Sequence, residues 1–220
     1  MGQLGTTMAK IAPFDEQAVK YDAWFDKHVG LYQAELKALR ALVPAGERGV
    51  EIGVGTGRFA APLGVAIGVE PSPGMAELAR QRGVEVLEGV AEELPLPDGA
   101  FDFALMVTVV CFLDDVAKAF REVCRILKPN GTMVIGFIDR ESKLGQQYSQ
   151  KKEQSQFYRD AIFYSVSELV VLLTKAGFSD FAYRQTLFQE ESTNLTVKEG
   201  YGNGGFVVIR AYKSEGGRYK

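Results

Sequence analysis

The residues best suited to chemistry lie together in Glu51-Ile52-Gly53-Val54-Gly55-Thr56-Gly57, with Glu70 thirteen residues after the last glycine, at the end of the apolar run Val65 to Val69. Alternating glycines let a chain turn sharply and leave backbone amides with no Cβ in front of them, so a ligand can lie against the main chain. A carboxylate at the tip of the following strand can accept hydrogen bonds from both hydroxyls of a ribose. Together these features describe a site for a nucleoside-bearing cofactor.

Spacing separates the two cofactor classes that use such a turn. Dinucleotide folds favour G-x-G-x-x-G, in which the third glycine brings a helix N-terminus close to a pyrophosphate. Here the pattern is G-x-G-x-G, with Glu51 two places before the first glycine. This loop resembles the cofactor loop of class I S-adenosylmethionine (SAM) dependent methyltransferases, of the type 11-like group. Three further blocks are similar to that family in the same order. Glu70-Pro71-Ser72-Pro73-Gly74-Met75 looks like its second motif, and Gly89 to Asp102 looks like its adenine-side loop leading into strand four. Arg121 to Thr132 looks like the helix and turn before strand five.

The resemblance implies SAM as cofactor, S-adenosylhomocysteine (SAH) as its product, and a cofactor site drawn from Tyr21, Glu51, Gly53, Gly55, Gly57, Glu70, Pro71, Ser72, Met75, Ala91, Glu92 and Thr108. One position departs from the pattern. Val90 stands where relatives commonly carry an aspartate that accepts from the adenine amine. Adenine recognition then falls to the Ala91 backbone, to Glu92 and to apolar walls such as Pro71, Met75 and Leu94. For Glu92 the alternative is a solvated loop position.

The acceptor side is less defined. Thr108 to Leu113, after the fourth strand, is apolar, whereas family members acting on exocyclic amines of nucleic acids place a polar Asn-Pro-Pro-Tyr type motif there. A small, partly apolar acceptor is expected. His28, the single histidine, is a candidate general base; its alternative is a surface or packing role on an N-terminal helix. No catalytic residue is assigned beyond that candidate, and no metal site is expected. Two other readings remain: a non-catalytic SAM-binding partner protein, and an NAD-linked oxidoreductase, which the glycine spacing disfavours.

The elements that must position these residues follow from hydrophobic patterning. Short apolar runs at Gly49 to Ile52, Val65 to Val69, Val84 to Leu87, Phe101 to Val107 and Thr132 to Ile138 alternate with helical segments. That alternation predicts a doubly wound α/β sheet, and the resemblance gives it seven strands in a Rossmann-like order, mostly parallel with one antiparallel strand in a C-terminal hairpin. One domain over residues 1–220 is expected: a loose tail at 1–13, a helical cover at 14–47, a cofactor core at 48–138, an acceptor-side insertion at 139–164, and a final helix and hairpin at 165–220. The 139–164 insertion and the segment Tyr21 to His28 mix polar and aromatic residues, as a cover over a ligand requires.

Composition restricts the remaining function classes. The 220-residue chain is 46% hydrophobic and 24% charged, enough for a sizeable core. Its net charge of −3 supplies no basic field, so no nucleic-acid or membrane partner is expected. Two cysteines make neither a disulfide framework nor a zinc set. A cytoplasmic protein fits, and the sequence leaves the oligomeric state open.

Overall fold

The apolar runs between residues 49 and 138 become the parallel half of one sheet. A computed structural model describes residues 11–188 and 195–214. Strands β1 (Gly49–Ile52), β2 (Ile67–Val69), β3 (Glu85–Leu87), β4 (Phe101–Val107) and β5 (Leu127–Ile138) pair in parallel, and β6 (Phe178–Thr186), β7 (Lys198–Glu199) and β8 (Phe206–Lys213) complete the order β3-β2-β1-β4-β5-β8-β6-β7. β8 runs antiparallel between β5 and β6, as the C-terminal hairpin predicts. The sheet gains one strand over the expected seven. β7 is two residues long, pairs with Arg184 and Gln185 at the edge, and carries only Lys198 and Glu199, so no apolar run signals it.

Helices cover both faces. Ala104 and Met106 of β4 point into a core with Phe120 and Val123 of α5 (Val116–Ile126) and Leu169 and Leu173 of α7 (Val166–Lys175). Phe103 and Leu105, alternating with them, join Leu36 and Leu39 of α2 (Val29–Arg40) and Ala76 and Ala79 of α4 (Pro73–Gln81). This is the period-two alternation of a strand buried on both sides. α7 opens with a capping box at Ser165 and Glu168, each side chain accepting from the other's backbone N–H.

Three elements bear on the site. α1 (Ala18–Lys27) and α2 are separated only at His28, whose backbone leaves the helical region. α3 (Ala60–Leu63), after the glycine loop, is a single turn. Its brevity removes most of the helix dipole that a phosphate-binding loop would need. α6 (Lys143–Lys151) begins the 139–164 segment, which continues through a 3-10 turn at Lys152–Gln154 and further turns at 156–160. Of the tail expected at 1–13, residues 1–10 lie outside the described residues, while 11–16 are helical. Among the described residues no helix is long and apolar enough to cross a membrane.

Candidate functional site

The three loop glycines serve different ends. All have positive φ, at 68° for Gly53, 53° for Gly55 and 78° for Gly57. A Cβ on Gly53 would stand 2.5 Å from the Val109 side chain, and one on Gly57 would stand 3.1 Å from the Ala79 Cα. A Cβ on Gly55 would meet nothing within 4 Å. Gly55 thus faces an open cleft, while Gly57 lets the loop pack closely on α4.

Glu70 closes one side of that cleft. Its Oε2 accepts from the Gly55 N–H at 2.9 Å and its Oε1 from the Ser72 N–H at 3.0 Å. Two amides thereby fix the carboxylate and tie the second strand to the glycine loop. A carboxylate has about four acceptor sites, so each oxygen retains capacity for a ribose hydroxyl. Burial pushes its pKa above the usual carboxylate range, against the two amide hydrogen bonds.

Pro71, Met75, Ala91, Glu92, Val90, Leu113 and Asp114 form the far end of the cleft. Val90 brings no acceptor to it. Glu92 lines the cleft but is also a brace: its Oε1 accepts from the Asp114 N–H at 2.9 Å and the Asp115 N–H at 3.2 Å, which holds the start of α5 in place.

Residues of the N-terminal helices border the near end. Phe14 and Tyr21 line the cleft, and Phe14 packs on Phe112 at 4.9 Å and on Phe157 of the insertion at 5.4 Å between ring centroids. Asp15 caps α4, a neighbouring helix: its Oδ1 accepts from the Ser72 hydroxyl at 2.9 Å and the Gly74 N–H at 2.7 Å. Ser72 is therefore buried in a helix cap, where its Oγ also accepts from the Met75 N–H at 3.2 Å.

A second chamber begins where the cleft ends. Tyr21 and Thr108 line both. Beyond them the walls are Trp24, Phe25, Phe59, Tyr148, Phe157 and Tyr158, with Glu35 on the α2 side. Burial raises the pKa of Tyr21, Tyr148 and Tyr158, so these hydroxyls keep their protons at neutral pH. Thr108 holds φ at 56°, an uncommon conformation for a β-branched residue and one that marks strain at a strand end.

Of the residues singled out in the sequence, Tyr21, Gly53, Gly55, Glu70, Pro71, Met75, Ala91, Glu92 and Thr108 surround the cleft. Ser72, Gly57 and Glu51 do not. Glu51 is 1% exposed beneath the loop, where it accepts from the Ala60 N–H; burial raises its pKa well above the carboxylate range. This hydrogen bond ties the end of β1 to the first residue of α3. His28 stands at the exposed rim of the second chamber, stacked on Trp24 at 4.4 Å with Nδ1 2.8 Å from the Trp24 carbonyl oxygen. Glu35 was missed, although Leu31, Glu35, Leu39 and Leu42 share one helical stripe and a charge on an apolar stripe is itself a signal.

No group of histidine, cysteine or carboxylate side chains among the described residues is arranged to hold a metal ion. The residues present fit SAM: a fixed carboxylate of 8% exposure for the ribose, an open backbone at Gly55, and apolar walls for the adenine.

Comparison with known proteins places the chain among methyltransferases in sequence and fold. Residues 50–135 match the methyltransferase domain family. An uncharacterised Methanocaldococcus jannaschii protein is 46% identical over 202 residues, covering 91% of this chain and 98% of its own. A Thermotoga maritima structure, described as a SAM-dependent methyltransferase and possible histamine N-methyltransferase, is 53% identical with a TM-score of 0.90, covering 93% of this chain and all of that one. Phosphoethanolamine N-methyltransferase 2 of Haemonchus contortus shares the fold at 18% identity and a TM-score of 0.60, over 82% of this chain and 52% of that one.

Proposed function

The chain belongs to the class I SAM-dependent methyltransferase family, and from that premise we propose that it methylates a small-molecule acceptor held in the aromatic chamber. The observation that carries this reading is the junction: cofactor cleft and chamber meet at Tyr21 and Thr108. When bound, SAM supplies a methyl group on a cationic sulfur for in-line transfer to an acceptor lone pair.

The protein's part is placement. Glu70 and the Gly53 to Gly57 loop hold the ribose and methionine portions, and Met75, Pro71 and Leu113 enclose the base. Tyr21 closes over the junction, and Phe14, Phe112 and Phe157 exclude water from it. Holding two reactants in line in a dry site is worth roughly 7 to 11 kcal/mol of the barrier.

A small acceptor is supported by the enclosing aromatic walls and by the description of the Thermotoga relative. The reading as a non-catalytic SAM-binding protein leaves this second chamber without a purpose. We also read the insertion at 139–164 and the N-terminal helices as a cover that opens to admit the acceptor. Transfer of label from methyl-tritiated SAM into a metabolite mixture, with identification of the product, tests the proposal. Tight binding of SAM with no labelled product from any extract would favour the non-catalytic reading.

A further inference from the structure

Glu35 lies on the sheet-facing side of α2, between Ala34 and Leu36, and is 6% exposed. Among the described residues nothing hydrogen-bonds to its carboxylate, and burial alone moves its pKa, up to about 8. An unpaired acid in such a place is costly, and nothing in the packing of α2 requires one. The side chain opens into the aromatic chamber. Tyr21 of α1 and Tyr148 and Tyr158 of the insertion face it, while Lys20, Lys27 and His28 also line the chamber. Lys20 is turned to the surface, where its Nζ donates to Gln156 Oε1 at 2.7 Å, and Lys27 and His28 are exposed.

We propose that the chamber takes an amine acceptor, with the amine nitrogen held against Glu35 and its proton passing to that carboxylate before methyl transfer. This rests on the reading of the site as a methyl-transfer site and names the acceptor class. An amine answers both peculiarities of the chamber. Its ammonium form supplies the charge that Glu35 lacks, and the faces of Trp24, Phe25, Tyr148 and Tyr158 attract a cation. An alcohol supplies no positive charge to favour the ionised form of Glu35, and a carboxylate acceptor would be repelled by that form.

The step balances. A bound ammonium gives one proton to the Glu35 carboxylate. The freed nitrogen lone pair forms the N–C bond as the C–S bond breaks, and that electron pair stays on sulfur as a neutral thioether. The product is a methylated ammonium, and Glu35 returns its proton to solvent.

Calorimetry on the SAH-saturated protein at pH 7 tests this with 2-phenylethylamine and n-hexylamine, each against its alcohol, in two buffers of different ionisation heat. The amines should bind at least about tenfold more tightly than the alcohols, with release of about one proton as Glu35 ionises or the amine deprotonates. Glu35→Gln should abolish the preference while SAH affinity stays within about twofold. Equal affinity for amine and alcohol in the unmutated protein overturns the amine assignment and leaves the methyl-transfer reading standing. A loss of SAH affinity in Glu35→Gln as large as the loss for the amine also overturns it, because Glu35 would then serve the cofactor's own ammonium. If the unmutated protein fails to bind SAH, the methyl-transfer reading falls and the amine assignment with it. Should Glu35→Gln not fold, the amine and alcohol comparison in the unmutated protein decides alone.

Discussion

Asp22 accepts from Nε and Nη2 of Arg58, at 2.9 and 2.7 Å, joining the residue after Tyr21 to the residue after the last loop glycine. Arg82 of the α4 C-cap donates to the same carboxylate at 2.8 Å, and Arg58 also pairs with Asp26. The α1 helix that closes the site is thereby fastened to the loop that forms it. Burial works to raise the Asp22 pKa, but the hydrogen bonds from Arg58 and Arg82 outweigh it and hold the group at about 2.

Asp22→Ala should therefore destabilise the cover more than the sheet. The expected loss is about 1.5 to 3 kcal/mol, the range for hydrogen bonds to charged groups, and it should appear as faster hydrogen exchange in Ala18–Lys27 and weaker SAH binding. The stabilisation from Asp22 is complete above its ordinary pKa of 3.8 and is lost as pH falls through about 2. Acid titration of the mutant should lack that component. Unaltered exchange in α1 would show that the fastening has no mechanical role.

Glu70→Ala should weaken SAH binding strongly, since it removes both ribose acceptors and frees the Gly55 and Ser72 amides. Each hydrogen bond to a charged group is worth about 1.5 to 3 kcal/mol. Glu70→Gln keeps one acceptor oxygen and should recover part of the loss. Calorimetric affinities of the two variants decide the matter: equal and unimpaired binding would remove Glu70 from the cofactor site.

Val90→Asp should tighten cofactor binding by about 0.5 to 1.5 kcal/mol, the net value of one added hydrogen bond, here to the adenine amine. Glu92→Gln should cost little by comparison, because its amide oxygen can still accept from Asp114 and Asp115. Glu92→Ala should loosen the start of α5. Were Val90→Asp to weaken binding, the base would have to lie elsewhere in the cleft.

Glu35 makes the ligand-free protein sensitive to alkali. Its folded pKa of about 8 lies above the ordinary 4.5, so the folded state binds the extra proton. Stability is fully retained below pH 4.5 and is lost as pH rises through about 8. Thermal unfolding of the unmutated protein should fall over that window relative to Glu35→Gln, and parallel curves for the two would refute the assigned burial.

The glycine loop and the acidic strand tip were legible because each is written locally, in residue types that only a few backbone conformations accommodate, whereas the strand order followed from the family resemblance. Ser72 lies in a helix cap rather than on the cleft wall, which its local sequence does not reveal because its partner, Asp15, lies 57 positions away and is brought beside it only by the fold. Glu51 follows the family pattern in sequence, yet the loop curls over it and leaves it beneath the cleft. Glu35 stayed hidden because a single charge in an otherwise apolar helix stripe does not reveal from spacing alone whether it meets solvent or a chamber.

Tyr21 and Thr108 form a wall common to the cleft and the chamber, so the proposed function makes the protein a linked system. Whatever factor a bound cofactor applies to acceptor affinity, the acceptor must apply to cofactor affinity in turn. The ring of Tyr21, once ordered for one occupant, need not be ordered again for the other, which favours positive cooperativity. With the methyl group carried at this wall, as proposed, discrimination between the methylated and demethylated cofactor is open to adjustment from the acceptor side, and product release becomes a property of both chambers together.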